Sequence, residues 1–423
     1  MEKTKKQKIV LSTFGSLGDI HPKIALGLEL RKRGHEVVFN VMEAFREKFE
    51  TLGFEISPLR PNLDPENKEL AKKIMDSKTG SEFLFREIFM PNLHSMYEDQ
   101  LKAVEDADLL ITGEVVLPTK SVIEKTGVKW VSTSLAPISF LSTDDPSVYP
   151  NAVFLDKLRF MPKFFHQLIL GQARRMFREW FKPYRKFRRE LGLDENHDPM
   201  FGEKYSKLLH LAMFSKALAK PQPDWAKSTL QTGFCFYDGE QDLGNMPMDL
   251  QKFLDAGEPP IVFTLGSAAV MDARDFYEQS IEAAKILNKR AVMLYGIFNE
   301  PPKGLDAERV GFDYAPYSQL FPRAAAVVHQ GGVGTTSQVL RAGVPMIVMP
   351  YSHDQPDNAA RCRRLGVGEV ITRDSYKAQK VAQELHKLLI EMSYKTKAIE
   401  AKRIVDSENG TQMACDAIEQ VLK

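Results

Sequence analysis

Residues 324–360 read AAAVVHQGGVGTTSQVLRAGVPMIVMPYSHDQPDNAA, and this run leaves the chain few ways to fold. Residues 325–328 are wholly apolar, the mark of a strand buried on both faces. His329-Gln330-Gly331-Gly332-Val333-Gly334-Thr335 follows, and its glycines let backbone N–H groups approach an anion closely. A helix starting near Gly334 or Thr335 turns its positive end toward the same point. Gly343-Val344-Pro345 stops that helix, residues 346–349 read as the next strand, and the polar loop 351–358 offers His353, Asp354, Gln355, Asp357 and Asn358.

The same grammar recurs along the chain. Strands are predicted at 8–13, 36–41, 109–112, 129–133, 229–232, 261–265 and 291–294, and helices in the twenties before Gly34, at about 118–125 and at 272–287. Alternation of this kind argues for parallel sheets with helices on both faces. The two halves open alike, IVLSTFGS at 9–16 and IVFTLGS at 261–267. A chain of 423 residues exceeds one typical core, so the α/β reading is of two Rossmann-like domains facing each other across a cleft.

Composition removes several classes of partner and site. The 57 basic and 56 acidic residues give no global drive toward nucleic acid. Cys235, Cys362 and Cys415 form no Cys-x-x-Cys pair and read as free thiols of a reducing cytoplasm. The basic start MEKTKKQKIVL has too short an apolar run for a signal peptide, and no run reaches the ~18 residues of a membrane span. Asp106-Ala107-Asp108 has metal-motif spacing but precedes a strand, so no metal is expected in the chemistry.

An anion cradle beside a cluster of hydroxyl-binding side chains points to a nucleotide-sugar ligand. Taken together, Tyr314-Ala315-Pro316, residues 329–335, Gly343-Val344-Pro345 and Asp354-Gln355 resemble the donor signature of family 1 glycosyltransferases. The resemblance extends over nearly the whole chain and weakens between Ser57 and Ala107 and between Asp144 and His210. The string Gly15-Ser16-Leu17-Gly18-Asp19 looks most like the sterol, antibiotic and rhamnolipid enzymes of that family. The resemblance implies the twin-domain GT-B fold: residues 1–215 for the acceptor, a linker at 216–249, residues 250–405 for the donor, and a helix within 406–423 crossing back onto the first domain.

It also implies roles. Asp19, second residue of a Gly-Asp-x-x-Pro turn, falls at the general-base position, with His21 as rival and Glu114 as a group that orients either. An aspartate is a weak base for an alcohol, which is tolerable when the transition state is oxocarbenium-like. Asp19 also suits a helix cap. On the donor side the resemblance puts Tyr314 at the base ring, with a core aromatic as the equal alternative, and Asp354 and Gln355 at sugar hydroxyls; His329 with Gly332, Val333, Gly334 and Thr335 is read on the diphosphate, and Ser267, at the mouth of the second domain's first strand, on a phosphate. Ser337 stands where plant members place a ribose-binding glutamate.

The acceptor side is apolar in composition. Residues 83–93, with Phe83 and Phe89, are expected to line its pocket. Residues 158–189 are dense in Lys, Arg and aromatics; read as a long helix, they put aromatics inward and arginines outward, and a second reading lays them on an anionic membrane surface. The whole predicts a cytoplasmic, inverting glycosyltransferase, peripheral at the inner membrane face in that second reading. It needs no cofactor beyond a UDP- or dTDP-sugar and moves a hexose, glucose first, to a hydroxyl of an apolar small molecule. Rhamnose transfer from dTDP-rhamnose, making a glycolipid, is the alternative. An epimerase on the same fold and a non-catalytic binding protein are the rivals of other classes.

Overall fold

Strands covered by helices on both faces must be apolar on both, and KIVLS, LLIT, IVFT and AVVH meet that condition. The computed structural model describes residues 6–239 and 245–423. Seven strands form the first sheet: β1 (Lys8–Ser12), β2 (Glu36–Val41), β3 (Glu55–Pro58), β4 (Leu109–Thr112), β5 (Lys129–Ser134), β6 (Leu209–Ala212) and β7 (Thr229–Gln231). They lie in the order β3-β2-β1-β4-β5-β6-β7, and every pairing is parallel. A second sheet holds β8 (Ile261–Thr264), β9 (Ala291–Leu294), β10 (Arg309–Phe312), β11 (Ala326–His329), β12 (Met346–Val348) and β13 (Gly368–Val370), again all parallel, in the order β10-β9-β8-β11-β12-β13.

Both sheets reverse direction of growth at one place, between β1 and β4 and between β8 and β11. Ligands of open parallel sheets sit at such switch points, beyond the carboxyl ends of the strands. Helix α1 (Leu17–Lys32) leaves the first switch point; α5 (Val333–Ala342) leaves the second. In between come α2 (Lys68–Ile74), α3 (Lys163–Trp180) and α4 (Lys182–Glu190), and later α6 (Gln355–Leu365) and α7 (Gly410–Leu422).

The last helix returns to the first lobe. Ala414, Cys415 and Ile418 are buried with Ile24, Leu26 and Leu211. Arg33 binds Asp416 at 2.6 Å and Glu419 at 2.9 Å, and Lys129 Nζ donates to the carbonyl of Val421 at 2.8 Å. That cation at the C-terminal carbonyls also opposes the negative end of the α7 dipole.

Three expectations need correction. The helix foreseen at 272–287 runs only from Phe276 to Ile286, because Arg274 adopts a left-handed φ of 49° that no helix tolerates. The basic stretch is two helices, α3 and α4, parted at Phe181 before Pro183. The polar loop 351–358 ends early: α6 starts at Gln355, and Asp357 and Asn358 are fully buried on it. The linker foreseen at 216–249 includes 240–244, which lie outside the described residues.

Ile418 has no exposed surface and sits between α7 and the first sheet. Ile418→Ala should destabilise the chain by about 2–5 kcal/mol through lost burial and a residual cavity. A thermal unfolding midpoint equal to the parent's would show that α7 does not help hold the first lobe.

Candidate active site in the interlobe cleft

The first turn of α1 is closed by a capping box. Ser16 Oγ accepts from the Gly18 N–H at 3.3 Å, and the Ser16 N–H donates to Asp19 Oδ2 at 2.8 Å. Asp19 is therefore a cap, as one sequence reading held, but a cap set at the mouth of the cleft. Gly15 has a φ of 136°, and a Cβ there would fall 2.2 Å from Asp19 Oδ2, so the glycine keeps the carboxylate in place. Burial raises the Asp19 pKa from 3.8 to about 6 against the two Ser16 bonds, with the charge of Lys23 holding it down and that of Glu114 pushing it up. At ~1.4 kcal/mol per pKa unit, desolvation wins by roughly 3 kcal/mol.

Lys23 is a residue the sequence reading missed. It lies one turn after Asp19, has no exposed surface, and its ammonium donates to Thr133 Oγ1 with Met213 Sδ at 3.7 Å. Burial among neutral partners lowers its pKa to about 8. Its one signal in the sequence is its place on α1 one turn after Asp19, since burial itself is not written in the sequence. Glu114 follows β4 across the switch point and faces Lys204 Nζ at 3.7 Å. His21, the rival base, is set edge-on to Tyr237 with ring centroids 5.2 Å apart.

Opposite stands the glycine turn. Gly331, at φ 91°, turns the chain out of β11, and the first N–H groups of α5 face the cleft. The two lobes nearly touch here: a methyl group placed on Gly334 would lie 3.7 Å from the Cα of Gly18. Asp354 Oδ2 accepts from the Val333 N–H at 3.1 Å and from Asn358 Nδ2 at 2.7 Å, while Asn358 also donates to the Gly331 carbonyl at 2.9 Å. Burial, then the charge of Asp19, raises the Asp354 pKa to about 7. Asp19 and Asp354 thus feel each other across the gap.

Several donor assignments land elsewhere than foreseen. The His329 ring is fully buried; Nδ1 accepts from the Gly331 N–H at 3.0 Å and Nε2 faces Met346 Sδ at 3.3 Å. Burial pushes its pKa down to about 3, so the imidazole is neutral and shapes the turn instead of facing the cleft. Gln355 Oε1 accepts from the Tyr351 N–H at 2.8 Å, folding the side chain back onto its own loop. Thr335 is buried and accepts from Gln330 Nε2 at 3.4 Å, whereas Ser267, in the helical turn Gly266–Ala269 after β8, is exposed. Tyr314 is half-buried after β10, and Ser337 Oγ donates to the Gly334 carbonyl.

On the acceptor side Phe89 is core, not pocket lining: it has no exposed surface and stacks edge-on with Phe14 and Phe85. Phe83 is half-buried in the turn Gly80–Phe83, under the Lys73 ammonium. The Asp-x-Asp pair is used structurally, since Asp106 binds the Lys8 ammonium and Asp108 the Lys8 N–H. Among the described residues no group of three or more His, Cys, Asp or Glu is placed to hold a metal.

Two further ties join the lobes. Asp357, fully buried, accepts from the Val148 N–H at 2.9 Å and from Arg361 Nε at 2.8 Å. Helix α2 sends Met75, just past its end, into the core of the second lobe, and Ser81 Oγ meets His353 Nδ1 at 3.4 Å. His353 holds a left-handed φ of 57°, a strained conformation next to Asp354.

A Cβ on Gly331 would fall 2.6 Å from Val348 Cγ1 and would also need the left-handed φ. Gly331→Ala should lower both stability and nucleotide affinity, read by thermal shift without and with UDP or dTDP. Parental values for both would remove the turn from the site.

Comparison with known proteins agrees with this geometry. Residues 9–107 match the glycosyltransferase family 28 N-terminal domain, and residues 306–416 match the erythromycin biosynthesis protein CIII-like C-terminal domain. The O-mycaminosyltylonolide 6-deoxyallosyltransferase of Streptomyces fradiae is 30% identical over 98% of this chain and 97% of its own. A sterol 3-beta-glucosyltransferase of Saccharomyces cerevisiae is 27% identical over 98% of this chain and 35% of its own. Among solved structures, the glycotransferase of kitacinnamycin shares the fold with a TM-score of 0.76 at 19% identity, covering 99% of this chain and 100% of that one. The spinosyn rhamnosyltransferase SpnG, complexed with thymidine diphosphate, does so at 0.67 and 14% identity, covering 97% and 100%. Two parallel sheets facing across a cleft, with a full-length relative at this identity, place the chain in a family of transferases: it belongs to the family 1 glycosyltransferases.

Proposed function

We propose that the protein transfers a hexose from a UDP- or dTDP-sugar to a hydroxyl of an apolar, polycyclic or macrocyclic acceptor, with inversion and without a metal. The observation that carries this reading is the approach of the Asp19 turn to the N-terminus of α5 across the gap, where the Asp19 charge reaches Asp354. Relatives named for sterol and tylonolide acceptors support an apolar acceptor. One of them is named for a glucose and one for a 6-deoxyhexose, so both nucleotides belong in the test.

In one displacement the acceptor oxygen attacks the anomeric carbon, its proton passes to Asp19, and the bond to the diphosphate breaks. The leaving group gains negative charge where the N–H groups of Gly334 and Thr335 and the positive end of α5 stand ready. Asp354, its pKa raised by burial and then by the charge of Asp19, is the carboxyl that would meet the sugar hydroxyls. The two Ser16 hydrogen bonds, and after them the charge of Lys23, oppose the desolvation that would otherwise neutralise the base.

Thermal shift against UDP- and dTDP-sugars, followed by an acceptor screen with the better donor, identifies the substrates. Asp19→Asn should lower turnover by ~10²–10⁴ while the nucleotide-induced shift persists. Retained turnover would take Asp19 out of the base role, and conversion of the nucleotide-sugar without acceptor would replace transfer by epimerisation. The base must be ionised, so kcat/KM should fall as pH drops through about 6. In Lys23→Met that acid limb should move to higher pH; a loss equal at every pH would mean that Lys23 serves folding alone.

A further inference from the structure

The charge of this chain is unevenly spread. Residues 158–189 contain ten Lys or Arg and one acidic residue, Glu179, a net of +9 in a chain whose total is +1. The remainder is therefore net acidic. The overlapping segment 153–176, with Lys157, Arg159, Lys163, Arg174 and Arg175 against Asp156, carries much of the exposed apolar surface: Val153, Phe154, Phe160, Met161, Phe164, Leu168 and Met176 all stand out, with Phe160 85% exposed. They come from the 3₁₀ segment Pro150–Leu158, the turn after it, and α3. Phe164 and Leu168 are one turn apart on one face of α3, and Arg175 continues that face.

Inward, the stretch behaves as an ordinary helical layer. Phe177, Trp180, Phe181, Tyr184 and Phe187 pack on the core of the first lobe, and Arg188 is buried against Ser121 and Glu124. That half matches the expectation of aromatics inward. The outward half does not, since large apolar side chains there face water among cations. The single carboxylate between 151 and 178, Asp156, is turned inward onto Arg363 and Arg364 of α6. Lys163 pairs with Asp144 and Arg174 lies 3.7 Å from Asp198, while Arg159 covers the Phe160 ring at 4.6 Å.

We infer that residues 153–176 form a docking surface for an anionic lipid bilayer, with the exposed aromatic and aliphatic tips entering the interface and the surrounding lysines and arginines resting on its headgroups. Aromatic tips ringed by long cationic chains fit a headgroup layer, because Lys and Arg bury their stems and keep their charges at the interface. Two copies of this face would repel each other, which disfavours self-association. Among the described residues no helix is long and apolar enough to cross a membrane, so the attachment is peripheral. Asp156 ties the patch to α6, whose first turn follows Asp354, so a docked molecule holds its cleft beside the lipid surface. An acceptor dissolved in the bilayer would then reach the site without crossing bulk water.

Co-sedimentation with vesicles tests the inference on the full chain. Binding to mixed phosphatidylglycerol and phosphatidylcholine should exceed binding to phosphatidylcholine alone by at least about ten-fold and weaken with added salt. The triple variant Phe160→Ser, Phe164→Ser, Leu168→Ser should lose binding, and so should Arg159→Glu with Arg175→Glu. Each should keep the parental unfolding midpoint and nucleotide-induced shift, so failure here is distinct from failure of the proposed chemistry. No binding to anionic vesicles at low salt would overturn the inference. So would variants that bind as the parent does, or a parent dimer in light scattering that the triple variant abolishes.

Discussion

The structure turns on the meeting of two helix N-termini across one gap. Helices α1 and α5 each leave a sheet at its switch point, and each brings unsatisfied N–H groups to the same small space. Carboxylates occupy both ends: Asp19 within the first turn of α1, Asp354 on the first N–H of α5. Several neighbours hold this pair. Ser16 and Gly15 fix one side, while Asn358, Gly331 and the buried His329 ring fix the other.

Burying two carboxylates so close together has a thermodynamic sign. Both have folded pKa values above their ordinary range, so the folded state binds protons more readily than the unfolded chain. Their contribution opposes folding above about pH 7 and fades as pH falls toward the ordinary carboxylate range near 4. The site is thus least comfortable in the ionisation state that the proposed base requires, an exchange of stability for reactivity. Lys23 softens it from beneath, at the expense of its own desolvation.

Sequence pattern carried the architecture well, because strands buried on both faces have few disguises. The runs 36–41, 109–112 and 291–294 are strands in the structure over the residues foreseen. What escaped was decided by three-dimensional neighbours. The orientation of His329 depends on Met346 and on the Gly331 N–H, and a motif cannot say whether its ring turns to the ligand or into the turn. Phe89 and Phe83 share a stretch of similar composition, yet one is core and the other edge. The break at Arg274 was invisible because nothing in its identity demands a left-handed backbone. Lys23 was passed over as one more charge on a helix of mixed character.

Met75 belongs to the first lobe yet is buried in a hydrophobic core of the second, where the preceding helix α2 packs against the turn Val270–Asp272. Separating the lobes wide enough to exchange a bulky occupant must pull that side chain out into water and later seat it again. Such an opening would add a wetting and drying event remote from bond making. The tempo of exchange should accordingly follow temperature and solvent viscosity, and shaving this one methionine would alter how fast molecules leave without altering how they react.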